Sequence, residues 1–306
     1  MLDQVINRLL YLVPVVLGVI LVTFVIIHAI PGNPAEVILG LEATEENVTE
    51  LEKKMGLDKP FFVQYLKYIN QLLHGDLGYS YRTRRWVVDE VRFRYPNTIM
   101  LTLVALGLVV VIGGIAGVLC ALKPNSFSDF ILRGFSVLGI SLPEFWSGFL
   151  LILLFAVFLK WFPSEGKHGI SSFFLPALTL ALSSIGMSTR LIRSSLLEIL
   201  QEPYIRTARS KGVSRLMVVL RHALKNAIIP ALTILSFQIG RFLGGAVVVE
   251  TVFNWPGMGR LAIEAIMGRD IPIIQATILI LALTYVVINL IADLLYAILD
   301  PRIRYR

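Results

Sequence analysis

Cationic side chains cluster in one segment of this sequence, between two long apolar runs. The segment Glu202 to Pro230 reads EPYIRTARSKGVSRLMVVLRHALKNAIIP, and residues 190–225 carry eight Lys or Arg against two acids. Such cations form charge-assisted hydrogen bonds to phosphates and carboxylates. Pro203 can begin a short helix and Gly212 can end it in the left-handed conformation. The pattern predicts a compact cationic helix that either lies on lipid phosphates at the membrane surface or docks on a partner.

The residue types needed for catalysis are scattered. The four histidines, His28, His74, His168 and His222, lie in different segments, and none has the spacing of metal ligands. We find no phosphate-binding loop of the form GxxxxGK[ST], no Gly-rich dinucleotide fingerprint after a strand and no arrangement typical of a Ser-His-Asp triad. The single cysteine, Cys120, lies in an apolar run, where it is a small packing residue. We therefore expect a chain that is not an enzyme and that holds no cofactor.

Charged residues inside apolar runs are the remaining candidates, because a charge in lipid is costly unless it faces a cavity or a partner. Arg241 is a candidate pore-lining residue, with a structural ion pair or snorkelling as the alternative. Asp293 lies about 18 Å from it in depth at 1.5 Å per residue, so the two are poor partners. Glu144 follows Pro143, and its depth is not fixed by the pattern.

The elements that carry these residues are set by composition. The 306 residues are 56% hydrophobic and 16% charged, and the mean hydropathy is +0.75, which is too apolar for a soluble domain. Six runs have the length of about 20 residues that a helix needs to cross the bilayer. They lie near Leu9 to Ile30, Thr98 to Leu122, Gly134 to Leu159, Phe174 to Ile192, Ala227 to Val249 and Ile273 to Leu299. We expect an all-α membrane protein with six transmembrane helices.

Basic residues in the short loops predict the orientation. One side carries 14 Lys or Arg and the other only four, when the long loop of residues 31–97 is left out. The basic side is cytoplasmic by the positive-inside rule, which places both termini there. The net charge of +7 belongs to these loops and does not indicate nucleic-acid binding. The first run is too long for a signal peptide and is interpreted as a retained anchor.

The long external loop contains two predicted helices. Thr44 can cap the first, which runs to about Met55 and ends at Gly56, and Pro60 can start the second. Within the second helix, apolar residues recur at three- and four-residue spacing and form a stripe along one face. Its members are Phe61, Phe62, Tyr65, Leu66, Ile69, Leu72 and Leu73. The stripe either packs on the protein's own spans or the membrane surface, or forms a landing platform for an external partner.

Several segments resemble one family. The stretch YIRTARSKG…LRHALKNAIIP is similar to the cytoplasmic loop of the permease subunits of peptide-type ABC importers, the dipeptide, oligopeptide, glutathione and nickel group. The same family resemblance is found, in the right order, in HAIPGNPA, MGLDKPFFVQYLKYINQLLHGDLGYS, FNWPGMGRL, RDIPIIQA and DPRIRYR. The general importer loop has Glu-Ala-Ala, three residues and Gly. Here Arg206, Thr207 and Ala208 precede Gly212, so Arg replaces the Glu.

The resemblance implies a type I ABC importer permease fold with an external helical subdomain between helices 1 and 2. Residues 1–97 would form the anchor and that subdomain, and residues 98–306 a five-helix core with a coupling loop at 193–226. The loop would seat on a separate ATPase. The residues that the resemblance assigns to ATPase coupling are Tyr204, Arg206, Thr207, Ala208, Arg209, Lys211 and Gly212. ATP and Mg would be bound by the partner ATPase and not by this chain.

The resemblance also implies the partners. These are a homologous second permease subunit, two cytoplasmic ATPase subunits, an external substrate-binding protein and membrane lipid, with no nucleic acid, in a prokaryotic plasma (inner) membrane. The expected cargo is a di- or oligopeptide, with nickel chelates or glutathione as the alternative. A stand-alone secondary transporter would predict two related halves with interrupted helices, and a membrane enzyme would need clustered acid, base or metal ligands in the spans. The sequence shows neither pattern.

Overall fold

The computed structural model describes residues 13–25, 33–40 and 43–299, and these are predominantly helical. The helices are α1 (Val13–Val25), α2 (Pro34–Leu39), α3 (Glu45–Met55), α4 (Phe61–Leu73), α5 (Val87–Leu108), α6 (Gly114–Leu122), α7 (Phe127–Ser141), α8 (Glu144–Leu151), α9 (Phe174–Ile199), α10 (Pro203–Ser210), α11 (Arg215–Met217), α12 (Leu224–Val252), α13 (Met258–Met267) and α14 (Ile271–Leu299). Segments of π-helix and 3₁₀-helix lie at Val109–Gly113, Ile152–Phe158, Val218–Ala223 and Ile170–Phe173. Two short strands, β1 (Tyr79–Ser80) and β2 (Arg85–Trp86), pair antiparallel with Tyr79 opposite Trp86.

Three helical runs of the described chain are long and apolar enough to cross a membrane, Val87–Leu122, Ile170–Ile199 and Ile271–Ile291. Helix α7 and the helix from Glu144 to Phe158 form a fourth span only if they are taken together, because they meet at 117°. The break falls at Leu142, whose backbone is extended, as expected for a residue that precedes a proline.

The other two predicted spans are covered less completely. Helix α1 is a shorter apolar helix within the predicted first span, and α12 occupies the position of the fifth. The remainder of the first span and both predicted cytoplasmic termini lie outside the described residues. The all-helical membrane class fits the structure, and the count of six spans stays a prediction.

The chain forms two compact units, residues 1–98 with 256–290, and residues 99–255 with 291–306. In the first unit, α3 begins where predicted, with the Thr44 hydroxyl accepting the Asn47 amide at 3.3 Å. It ends at Gly56, which has φ +76°. Helix α4 follows Pro60. The two helices predicted for the long loop are therefore confirmed, the first at both predicted ends and the second at its predicted start.

The apolar stripe of α4 is only partly covered. Phe24 of α1 is buried, and its ring centroid lies 5.0 Å from that of Phe61 and 5.3 Å from that of Tyr65. Phe62 and Leu66 remain 67% and 50% exposed. The stripe thus packs against the protein's own first described helix along one edge and leaves the other edge open.

The second half of the segment FNWPGMGRL lies in the first unit, where it is hydrogen-bonded to α5. The Asn97 side-chain amide donates to the Pro256 carbonyl at 2.8 Å, and the Met258 amide donates to the Thr98 hydroxyl at 2.8 Å. These bonds satisfy backbone groups that would otherwise be buried without partners. Beside them an apolar cluster includes Val87, Met258, Leu261, Ala265, Ile273 and Ile274.

Helix α9 is central to the second unit, where it contacts α6, α7, α8 and α12. The apolar core of this unit includes Leu101, Val109, Leu175, Leu180, Phe242, Phe253 and Trp255. Because α9 leads directly into the cationic segment, its packing fixes where that segment begins.

Candidate functional site

The cationic segment forms the predicted helix with the predicted end. Helix α10 has Pro203 at its first position, where the missing amide of proline costs no hydrogen bond. At its C-terminus the Val213 amide donates to the Ala208 carbonyl at 3.4 Å, and the Gly212 amide donates to the Arg209 carbonyl at 2.9 Å. This pair of bonds, with Gly212 at φ +82°, is a Schellman motif. Gly212 therefore ends the helix in the left-handed conformation.

The inner face of α10 is anchored to the second unit. Ile205 is fully buried in an apolar cluster, and Ala208 and Val213 are partly buried against it. The other buried members of this cluster are Ala121, Ile192, Leu196, Val218, Val219, Ala223 and Ala227. Ala121 belongs to α6, and the others belong to α9 before α10 and to the helical segments after it, so the inner face of α10 packs against both neighbouring segments of the chain.

The outer face of α10 is cationic and exposed. Tyr204, Arg206, Thr207, Arg209 and Lys211 are all exposed. The structure records no ion pair for the three cations within the described residues, whereas the Tyr204 hydroxyl accepts the Asn226 side-chain amide at 2.9 Å. Six of the seven residues assigned to coupling by resemblance thus lie in the exposed part of α10 and its C-terminal turn. Ala208, the seventh, is half-buried.

A buried ion pair that the sequence analysis missed joins α7 to α9. The Asp129 side chain is fully buried, and its carboxylate accepts the Arg193 Nε at 2.8 Å and Nη2 at 2.9 Å. The Asn125 amide donates to it at 2.9 Å, and the Arg133 Nε lies at 3.4 Å. From the sequence Arg193 is only one of the loop cations, because its acidic partner lies 64 residues away and one sequence gives no signal for that pairing.

The second charge pair involves the candidate pore residue. Nη2 of Arg241 lies 3.6 Å from the Glu144 carboxylate and donates to the Ser183 hydroxyl. The two charged side chains remain 43% and 27% exposed. Arg241 therefore has the structural partner that the sequence left open, and both charges still reach the surface of the second unit. The Asp293 side chain lies outside the described residues.

The exposed side chains of α10 are of types that bind another surface. Within the described residues, no group of three or more His, Cys, Asp or Glu could hold a metal ion. The exposed face of α10 offers guanidinium, ammonium and hydroxyl donors, which suit acceptors on another surface. Its anchored inner face gives those donors a fixed orientation.

Comparison with known proteins gives consistent matches. Residues 113–305 match the family described as binding-protein-dependent transport system inner membrane component, and residues 1–102 match the N-terminal family of such components. The chain is 42% identical over 306 residues to the glutathione transport system permease protein GsiC of Escherichia coli K12, covering all of both chains. It is 40% identical to the dipeptide transport system permease protein DppB of Alkalihalophilus pseudofirmus, again over all of both.

Among solved structures, an inward-facing MetNI methionine ABC transporter resembles the fold. Its chain superposes with a TM-score of 0.59 at 16% identity, covering 69% of this chain and 96% of that one. At that identity the likeness concerns the fold alone.

Proposed function

We propose a function for this chain, which belongs to the family of inner membrane components of binding-protein-dependent transport systems. It is a multi-pass permease subunit of an ABC importer and not itself an enzyme. In the proposal it forms half of a translocation path together with a homologous second permease. Two cytoplasmic ATPase subunits bind ATP and Mg and drive the cycle.

One observation carries the proposed coupling to the ATPases. Helix α10 is anchored by buried Ile205 and presents Arg206 and Arg209 outward. The apolar anchor on the protein side turns the cationic face outward and holds it in a fixed orientation, which favours docking on a partner. A helix that is held on one face and exposed on the other can seat in a groove of a partner and move with it.

The proposed mechanism follows from the anchoring. When two ATPase subunits close on ATP, the two seated helices move together. The apolar cluster around Ile205 passes that movement to α9 and α12, and the spans change from an inward-facing to an outward-facing packing. In the proposal α10 and both termini lie on the cytoplasmic side, which the excess of basic residues in the short loops supports.

The proposed cargo is a di- or oligopeptide. The DppB relative is named for dipeptide transport, and the GsiC relative, at similar identity, is named for glutathione transport. Glutathione is therefore the second candidate, and nickel chelates are the third. Di- and oligopeptides and glutathione share an ammonium group and a carboxylate on a small flexible body.

A photo-crosslinking amino acid at Thr207 tests the seating of α10. Thr207 is exposed on the outer face, so in the assembled transporter we expect it to crosslink to an ATPase subunit. The matched control is Ile170, which is 92% exposed and lies in a loop predicted to face outward. Crosslinking of Thr207 to lipid alone, in a complex that contains the ATPase, would show that α10 is a membrane-surface helix.

The open edge of α4 is the proposed contact for the external binding protein. Replacing both Phe62 and Leu66 with serine removes exposed apolar area and leaves Phe61 and Tyr65 on Phe24. We expect the variant to retain its ATPase but to lose most of the stimulation of ATP hydrolysis by the loaded binding protein. Val63→Ser is the control, because Val63 is 43% exposed on α4 but is not a member of the stripe. Full stimulation of the double variant would contradict this contact.

A further inference from the structure

Two opposite charges are open to the surface among the apolar helices of the second unit. Arg241 lies in the middle of α12, and Glu144 is the first residue of α8. Their nearest nitrogen and oxygen are 3.6 Å apart, and the side chains are 43% and 27% exposed. The Asp129–Arg193 pair of the same unit differs, with contacts of 2.8 and 2.9 Å and exposures of 0% and 17%.

This contrast separates two roles. The Asp129 pair is closed and bidentate, which is the geometry of a structural clamp. The Glu144 pair is loose and has room to accept further partners. Exposed charges at membrane depth are costly when they face hydrocarbon, so they face a water-filled cavity instead. The partial exposure of both side chains is what suits this pair to an aqueous path.

The lack of a side chain at Gly245 leaves space for the Glu144 carboxylate. A Cβ added at Gly245, one turn after Arg241 on α12, would lie 2.7 Å from a Glu144 oxygen. Any larger residue at position 245 would displace that carboxylate. The Ser183 hydroxyl contacts the Arg241 guanidinium from α9, so three helices together hold the two charges in place.

We propose that Glu144 and Arg241 contact the two termini of a zwitterionic cargo as it passes. The Glu144 carboxylate would accept hydrogen bonds from the peptide ammonium. The planar guanidinium of Arg241 would donate hydrogen bonds to the peptide carboxylate. Because the pair has no net charge, it favours neither anionic nor cationic cargo and tolerates varied peptide side chains. This inference rests on the proposed peptide import and assigns to that path the groups that recognise the peptide backbone ends.

The test compares Glu144→Gln with Arg241→Gln in the complete transporter in proteoliposomes. The cargo set is one dipeptide with both termini free, its N-acetylated form, which is anionic, and its C-amidated form, which is cationic, each delivered by the same binding protein. Glu144→Gln leaves an uncompensated cation, so the ratio of anionic to cationic peptide import should rise, by roughly fivefold for one charge at contact distance in water. Arg241→Gln should shift the ratio by a similar factor in the opposite direction.

Controls separate recognition from structure. Lys160→Gln removes a cation at the predicted outer membrane end and should leave the ratio unchanged. A merely structural pair would lower the import of all three peptides equally in both variants, and that result would overturn the proposal. An unchanged ratio in both variants would also overturn it. Failure of the parental complex to import any peptide would count against the proposed function itself.

Discussion

Replacing Arg193 with methionine is expected to lower the free energy of unfolding by about 3 kcal/mol, at the lower end for removal of one partner of a buried ion pair. The change removes two short hydrogen bonds from the fully buried Asp129 carboxylate. The Asn125 amide and the Arg133 guanidinium remain beside it, which is why the larger losses are not expected. The loss is measured as the free energy of unfolding of the full chain in bicelles.

The double variant Asp129→Leu, Arg193→Met is the control for this prediction. Removing both charges leaves no unpaired carboxylate in the interior, so the double variant should be more stable than Arg193→Met alone. Arg193→Lys keeps the charge but loses the bidentate geometry and should fall between the parent and Arg193→Met. Equal stability of the parent and Arg193→Met would show that the pair does not clamp α7 to α9.

Replacing Gly212 with valine is expected to uncouple the transporter while leaving it folded. A β-branched residue at φ +82° carries strain of about 1–2 kcal/mol, and strain of that size shifts a local equilibrium about 5- to 30-fold. No atom lies within 4 Å of an added Cβ, so the strain comes from the backbone alone. We expect the Schellman turn to open and import to fall by a similar factor.

Gly212→Asn is the matched control, because asparagine tolerates the left-handed conformation far better than valine. It should retain most of the import rate. Membrane insertion should be unaffected in both variants, since no apolar run changes. If valine and asparagine gave the same import rate as glycine, the end of α10 would not be critical for coupling.

The local ends of the helices could be predicted from the sequence because their signals are local. Each start or stop signal affects only the backbone groups within a few residues of itself. The signals are Thr44, Gly56, Pro60, Pro203 and Gly212. Each of these helix ends is where capping rules place it. The role of α10 in coupling stays a prediction that the family resemblance suggests and the exposed cationic face supports.

The charge pairs could not be predicted in the same way. Asp129 and Arg193 are 64 residues apart, and Glu144 meets Arg241 only because the chain bends by 117° after α7. Pro143 signals that a break exists, but not its angle or which side chain it directs toward α12. Such contacts depend on tertiary packing, for which hydropathy and spacing carry no information.

The central claim, that α10 couples a separate ATPase to transport, is tested most directly by one measurement. ATP hydrolysis and peptide import are recorded together in proteoliposomes for the variant Arg206→Glu, Arg209→Glu. Lys123→Glu, an exposed cation on the same predicted side but outside α10, is the control, and a sample without ATPase subunits should import nothing. We expect the double variant to lose import, either because the ATPase dissociates or because it hydrolyses ATP without transport. Import at the parental rate with the ATPase bound would contradict the account.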